Sequence, residues 1–217
     1  MKYGEFIFGG SDLSMCHATG KQRGIEDSSG WKRLKSVLLT FLVIGGIANA
    51  RTITREEALK LAYPGAEIQS KVLFLSDTEK KEVERVCGAP VTTALVARYT
   101  LTQNGHEAGR SYLDTHIVRT KKESVLVMLN SDGTVKRVEV VAFLEPPEYL
   151  PAERWYRQFD GKQLNENLKI DRDIHAVTGA TLTAKATTEA VRRILAIDAI
   201  LQRKGPDPEL YFQTEKN

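Results

Sequence analysis

The sequence predicts an α+β fold in which an antiparallel twisted sheet, a meander or half-barrel, is flanked by helices. Two tight-turn dipeptides, Asn104-Gly105 and Asp132-Gly133, separate runs with strand character. Connections this short join antiparallel neighbours, because a parallel pair needs a long crossover. Apolar residues then recur at three- and four-residue spacing from Ala190 to Leu201, which predicts one long C-terminal helix.

The elements before the sheet begin at two capping boxes. Thr54-Arg55-Glu56-Glu57 predicts the start of a short helix, and Pro64-Gly65 ends it. Residues 72–75 have the pattern of a strand. Ser76-Asp77-Thr78-Glu79 then opens an amphipathic helix that ends near Gly88.

The remaining strands follow one another without room for a helix between them. Their predicted bounds are 94–102, 111–120, 124–129 and 135–143. Pro146 and Pro147 end the sheet. Residues 152–159 then predict a short helix, and its Trp155 is favoured as a core aromatic.

The first 50 residues have the organisation of a secretory signal peptide. A basic cluster at 31–35 precedes an uncharged apolar run at 36–48, and Ala48-Asn49-Ala50 supplies the small residues of a cleavage site. The prediction is a signal peptide over 1–50 with a long polar n-region, a domain over 51–205 and a C-terminal tail over 206–217. The alternative is an uncleaved membrane anchor within 32–50.

Composition excludes several classes of function. Residues 1–50 hold six of the 31 Lys and Arg and four of the 28 Asp and Glu, which leaves 25 cations against 24 anions. This balance gives no argument for nucleic acid or for an anionic surface. Only Cys87 remains beyond residue 50, so no internal disulfide, haem or iron–sulfur site is predicted, and Cys87 is expected to be buried and inert.

One hexapeptide carries most of the functional information. Thr178-Gly179-Ala180-Thr181-Leu182-Thr183 enters the long helix, where unpaired backbone N–H groups favour an anion such as phosphate. Glycine permits a positive φ or a close approach, and alanine adds no bulk. The alternative is that Thr178 or Thr181 is an ordinary N-cap.

The hexapeptide resembles the (S/T)-G-A-T attachment motif of the FMN-binding domain family. In that family a flavin transferase esterifies the FMN phosphate to the second hydroxyl residue, which corresponds to Thr181 here. The resemblance extends over roughly 107–201, including Glu145-Pro146 where the family has E-T-P-G. His175 stands where the family usually has an acid.

The resemblance implies FMN as cofactor, held by Thr178, Gly179, Ala180, Thr181, Leu182 and Thr183. Leu182 is expected as an apolar wall, Tyr149 or Trp155 as a stacking partner, and Glu145 and His175 as polar neighbours. No catalytic or metal-ligating residues are predicted, and His116 is expected to be structural.

The resulting expectation is an exported, periplasmic electron carrier rather than a self-contained oxidoreductase. It would relay electrons between a membrane reductase and an extracytoplasmic electron-transfer protein, after maturation by a flavin transferase. Two alternatives remain: an anchored accessory subunit of a membrane redox complex, and a non-covalent FMN- or phosphate-binding module.

Overall fold

The computed structural model describes residues 53–205. The predicted signal peptide or anchor over 1–50 and the predicted tail over 206–217 lie outside the described residues. Within the described part of the chain, no helix is both long and apolar enough to cross a membrane.

The described residues form one five-stranded antiparallel sheet with helices on both faces. The strands lie side by side in their order along the chain, β1 to β5. In chain order the elements are α1 (Arg55–Ala62), β1 (Glu67–Phe74), α2 (Asp77–Cys87), β2 (Leu95–Gln103), β3 (His106–Ile117), β4 (Lys122–Asn130), β5 (Val135–Phe143), a 3-10 turn (Pro147–Tyr149), α3 (Glu153–Tyr156), a second 3-10 turn (Arg157–Phe159) and α4 (Thr181–Lys204). The predicted α+β class is confirmed.

Three strands, β1, β3 and β4, are longer than their sequence patterns predict, and the starts of β1 and β3 differ most. β1 starts at Glu67 rather than at residue 72, and β3 starts at His106 rather than at residue 111. The extra residues of β1 are largely exposed and polar, so they have no apolar alternation to detect. They are strand because their backbones pair with β2, from Glu67 opposite Thr102 onward.

The turns and helix starts follow local sequence closely. Asn104 and Gly105 both have positive φ, 53° and 76°, as a two-residue hairpin turn requires. Thr54 with Glu57, and Ser76 with Glu79, each form the complete reciprocal capping box.

Each face of the sheet carries its own hydrophobic cluster. On the first face α2, α3 and α4 pack against side chains such as Val96, Tyr112, Val125 and Val127. On the second face the short α1 packs against Tyr99, Leu101, Leu126 and Met128. Cys87 is buried in the first cluster, where burial raises the pKa of its thiol. The expectation of a buried thiol is confirmed.

α4 lies along the first face and is fixed to the sheet near its C-terminal half. Asp198 accepts a bidentate pair from Arg110, at 2.6 and 2.9 Å, and the Tyr112 hydroxyl at 2.7 Å. All three residues are buried. The helix therefore has a defined position along the sheet, with its N-terminus at the opposite end from this contact.

Candidate functional site

The start of α4 differs from the starts of α1 and α2. α4 begins at Thr181, its N-cap is Ala180, and no side chain caps it. The alternative that Thr178 or Thr181 is an ordinary N-cap is therefore wrong. A 24-residue helix thus begins with first-turn N–H groups that no side chain has claimed, which is the arrangement that binds anions.

A tight turn leads into this helix. The Ala180 N–H donates to the Val177 carbonyl at 3.1 Å, and Gly179 between them has φ 86°. A Cβ at Gly179 would meet no atom within 4 Å, so the glycine is needed for its backbone conformation and not for a close approach. The turn leaves the helix start open to solvent.

The threonines of the motif have different surroundings. Thr181 is exposed, and its hydroxyl donates to the Val177 carbonyl at 3.2 Å. Thr178 is also exposed. Thr183 is 1% exposed, and its hydroxyl donates to the Tyr149 carbonyl at 2.6 Å. Thr181 is consequently the accessible hydroxyl on the helix itself, while Thr183 holds the helix to the neighbouring segment.

Glu145 follows β5 in sequence, and its carboxylate contacts the loop between β3 and β4. Its Oε1 accepts the N–H groups of Thr120 at 2.7 Å and Lys121 at 2.8 Å, and more distantly that of Arg119. These backbone hydrogen bonds hold the Glu145 pKa below its ordinary value. Glu145 thus fixes a loop, and its expected contact with a flavin stays a prediction.

The other residues expected near FMN are Tyr149, His175, Trp155 and Leu182. Tyr149 is half-buried, with the Arg119 guanidinium 4.5 Å from its ring centroid. His175 is exposed, and its carbonyl accepts the Trp155 indole N–H at 2.6 Å. Trp155 is buried against Tyr156 and Phe159, which confirms it as a core aromatic. Leu182 is 53% exposed beside Thr181, and its expected role as an apolar wall stays a prediction.

A buried polar chain joins the sheet to the first turns of α4. The two ring nitrogens of His116 each lie 2.9 Å from a carboxylate, one of Asp114 and one of Glu123. Glu123 also accepts the Thr187 hydroxyl at 3.0 Å, and Asp114 accepts a bidentate pair from Arg193. This polar network therefore contacts α4 at two residues, Thr187 and Arg193.

The buried polar chain formed by His116, Asp114, Glu123 and Arg193 carries balanced charge. Burial alone would lower the His116 pKa, but the hydrogen bonds to Asp114 and Glu123 outweigh it and raise the pKa to about 9. Burial raises the Asp114 pKa, and the hydrogen bonds from His116 and Arg193 outweigh that effect and bring it to about 2. His116 and Arg193 are therefore cations that compensate two buried carboxylates.

Sequence reasoning placed His116 correctly as structural but missed the partners of its ring. Glu123 belongs to the charged run Lys121-Lys122-Glu123, whose composition is that of a solvated turn, but the structure buries it fully. Within residues 53–205, the second oxygen of Glu123 and the Tyr156 hydroxyl have no hydrogen-bond partner. Among the described residues, no three His, Cys, Asp or Glu side chains converge on a metal position.

Comparison with known families agrees with the geometry of this corner. Residues 121–196 match the FMN-binding domain model, a segment that runs from the start of β4 through the motif into α4. The protein is therefore a flavin-binding protein. FMN is the cofactor that this domain indicates, and the uncapped helix, the exposed Thr181 hydroxyl and Leu182 fit its phosphate and ring.

A second similarity is weaker. Soluble guanylate cyclase gcy-37 of Caenorhabditis elegans is 25% identical over a match of 205 residues, and the match covers 84% of this chain. The chain spans only 28% of that protein's length. A similarity at this level assigns no activity to the present chain.

Proposed function

We propose that this protein is an exported electron-transfer flavoprotein whose FMN is joined by a phosphoester to Thr181. The observation that carries the proposal is an exposed hydroxyl on the first residue of an uncapped helix. A phosphate attached there would accept hydrogen bonds from the first-turn N–H groups and would lie at the positive end of the helix dipole.

The attachment reaction needs little from the chain itself. Attachment would form an O–P bond between the Thr181 hydroxyl oxygen and the FMN phosphorus of FAD and would break the pyrophosphate bond, with AMP as the leaving group. The hydroxyl proton, which points to the Val177 carbonyl, is lost in this step. A flavin transferase with its Mg²⁺ supplies the catalysis, and the motif supplies a reachable hydroxyl on an ordered helix.

The residues around the motif favour a relay over a self-contained enzyme. When bound, FMN supplies the electron-accepting and electron-donating chemistry. The chain holds the phosphate at the helix start, presents Leu182 as an apolar contact and orders the neighbouring segment through Thr183. The sequence offers no glycine-rich dinucleotide loop and no nucleophile–base pair that would act on a second organic substrate.

The cellular setting of the proposal comes from the first 50 residues. A basic cluster, an apolar run and an A-x-A site support export, and a covalent bond would prevent the loss of FMN outside the cytoplasm. The proposed partners are a membrane reductase as electron donor and an extracytoplasmic electron-transfer protein as acceptor.

The test is flavin labelling in cells that also express a flavin transferase. Wild-type protein should fluoresce in a denaturing gel, Thr181→Val should lose the label completely, and Thr181→Ser should retain it. Thr183→Ala should keep most of the label, because its hydroxyl contacts Tyr149 rather than solvent. Label on Thr181→Val protein would show that the attachment residue is wrong.

The same gel separates the alternatives. Yellow protein that loses its colour on denaturation indicates non-covalent FMN. Colourless wild-type protein, with the transferase shown to be active, would contradict the proposal. Mass spectrometry of the mature N-terminus distinguishes a cleaved signal peptide from an anchor.

A further inference from the structure

A row of exposed apolar side chains crosses one end of the sheet. Val72, Phe74, Leu95, Ile117 and Leu144 are each between 58% and 74% exposed. We refer to these five residues as the apolar band. Lys122 of β4 lies between Ile117 and Leu144 in this row. Exposed apolar side chains grouped at one end of a folded domain commonly mark an interaction site.

Strand register places the band on a single face. Phe74 lies opposite Leu95, and Val72 precedes Phe74 by two residues on the same face. Ala97 lies opposite Leu113, so Leu95 and Ile117 belong to that face as well. Leu144 follows Phe143, which lies opposite the inward-facing Glu123, and therefore points outward.

This face is only partly covered by the described residues. α1 is eight residues long and packs on Leu101, Leu126 and Met128, towards the other end of the strands. The band lies beyond that contact. It extends from β1 to the segment that follows β5, and β4 contributes Lys122 rather than an apolar residue.

Two lysines lie beside the band. Lys122 is opposite Ile117 in the β3–β4 register, and Lys121 precedes it in the loop; both are exposed. Within residues 53–205 neither side chain forms an ion pair. Arg119 of the same loop is instead directed at the Tyr149 ring.

The composition of the band favours lipid over a protein partner. Protein interfaces are depleted in lysine, and their strongest contacts are enriched in Trp, Tyr and Arg, whereas four of the five band residues are aliphatic. Apolar side chains flanked by lysines match a membrane interface, where acyl chains border anionic headgroups. A row across a sheet end also suits a planar surface.

We propose that the apolar band and Lys121–Lys122 form a docking surface for an anionic membrane. This association does not depend on flavin attachment. Membrane docking also bears on the proposed electron transfer, because the motif lies at the same end of the sheet as the apolar band. Glu145 binds the loop that precedes Lys122, and Tyr149, four residues later, binds Thr183 of the motif. Docking would place this end of the sheet, with the motif on the face opposite the band, at the membrane surface where the proposed reductase lies.

The test is co-sedimentation of the full chain with vesicles, using protein made without a flavin transferase. We expect binding to vesicles of mixed phosphatidylglycerol and phosphatidylcholine that is at least tenfold stronger than that of a Phe74→Ser/Ile117→Ser variant. Leu61→Ser is the matched control, because Leu61 is 64% exposed but lies on α1 outside the band. Residues 1–52 are common to all variants, so the variants differ only in the described part of the chain.

Charge provides the second arm. Lys121→Gln/Lys122→Gln should weaken binding to the phosphatidylglycerol vesicles severalfold and leave binding to pure phosphatidylcholine unchanged. Equal binding of wild type and Phe74→Ser/Ile117→Ser, with both variants folded by circular dichroism, would overturn the proposal. A dimer in size-exclusion chromatography that this variant abolishes, without a change in vesicle binding, would instead assign the band to a second copy of the chain. Flavin labelling is read separately, so the two proposals fail independently.

Discussion

Gly109 is a position where one methyl group decides whether β3 can keep its place between β2 and β4. A Cβ there would overlap the Leu129 carbonyl oxygen and come within 2.6 Å of the Tyr63 ring. Neither neighbour can move freely, because the Tyr63 hydroxyl donates to the same Leu129 carbonyl at 2.7 Å. The glycine is therefore needed for a close approach between β3, β4 and the residue that follows α1.

We expect Gly109→Ala to lower the free energy of unfolding by about 3 kcal/mol, since the substitution forces backbone apart inside a packed sheet. Urea unfolding followed by circular dichroism measures the change. Thr115→Ala, at an exposed position of the same strand, should change the stability by no more than about 0.5 kcal/mol. A wild-type midpoint for Gly109→Ala would show that the strands have room to separate.

Glu123 is a residue whose position could not be predicted from the sequence. Lys121-Lys122-Glu123 has the composition of a solvated turn, and two of its members are indeed exposed. β4 begins at Lys122, so alternation turns Glu123 inward to His116 and Thr187. Thr187 is 64 residues away in sequence, and no local pattern predicts that contact.

At the scale of elements, α4 is tied to the sheet by the hydroxyl group of Thr187. Thr187 donates to Glu123 across the helix–sheet boundary, whereas the adjacent Thr188 donates to Ala184 of its own helix. Both threonines are buried. The two positions form a matched pair that differs chiefly in where the hydroxyl is used.

Thr187→Val should lower the free energy of unfolding by about 2 kcal/mol, because a buried carboxylate loses a donor while its other oxygen is already unpaired. Thr188→Val should cost less than about 0.5 kcal/mol, since the Ala184 carbonyl keeps its place in the helix ladder. Urea midpoints of the two proteins provide the comparison. Equal losses would mean that the Thr187–Glu123 contact contributes nothing beyond packing.

At the scale of the whole molecule, stability should depend on the charge of one histidine. The folded-state pKa of His116 is about 9, above its ordinary value of 6.5. The folded protein therefore holds a proton that the unfolded chain releases above about pH 6.5, so this stabilisation is complete below that pH and is lost as the pH rises through 9. The facing groups are Asp114 on β3, Glu123 on β4 and Arg193 on α4.

We expect the free energy of unfolding to fall by on the order of 3 kcal/mol between about pH 6.5 and about pH 9. Urea unfolding across this range measures the slope. His175→Gln should keep the slope, because His175 is exposed, and His116→Asn should remove it. A wild-type stability that is flat over this range would indicate that His116 is neutral in the folded protein.

Much of the architecture could be predicted from sequence because its signals are local. Hairpin dipeptides, capping boxes and the periodicity of α4 gave the antiparallel meander and the position of the motif at a helix start. The capped or uncapped state of that start could not be predicted, since it depends on the turn at 177–180. The buried polar chain could not be predicted from the sequence either, because its members meet only when α4 packs on β3 and β4.

The order of the strands has a consequence for how the molecule is made. Each strand pairs with the one synthesised just before it, so the sheet can assemble from successive hairpins as the polypeptide emerges. α4 comes last in the described chain, and its side chains complete the core on the first face. The corner at the start of α4, where we propose that FMN is attached, is thus completed only at the end of folding. The proposed flavin transferase, where it requires an ordered α4, would modify completed molecules and not nascent ones.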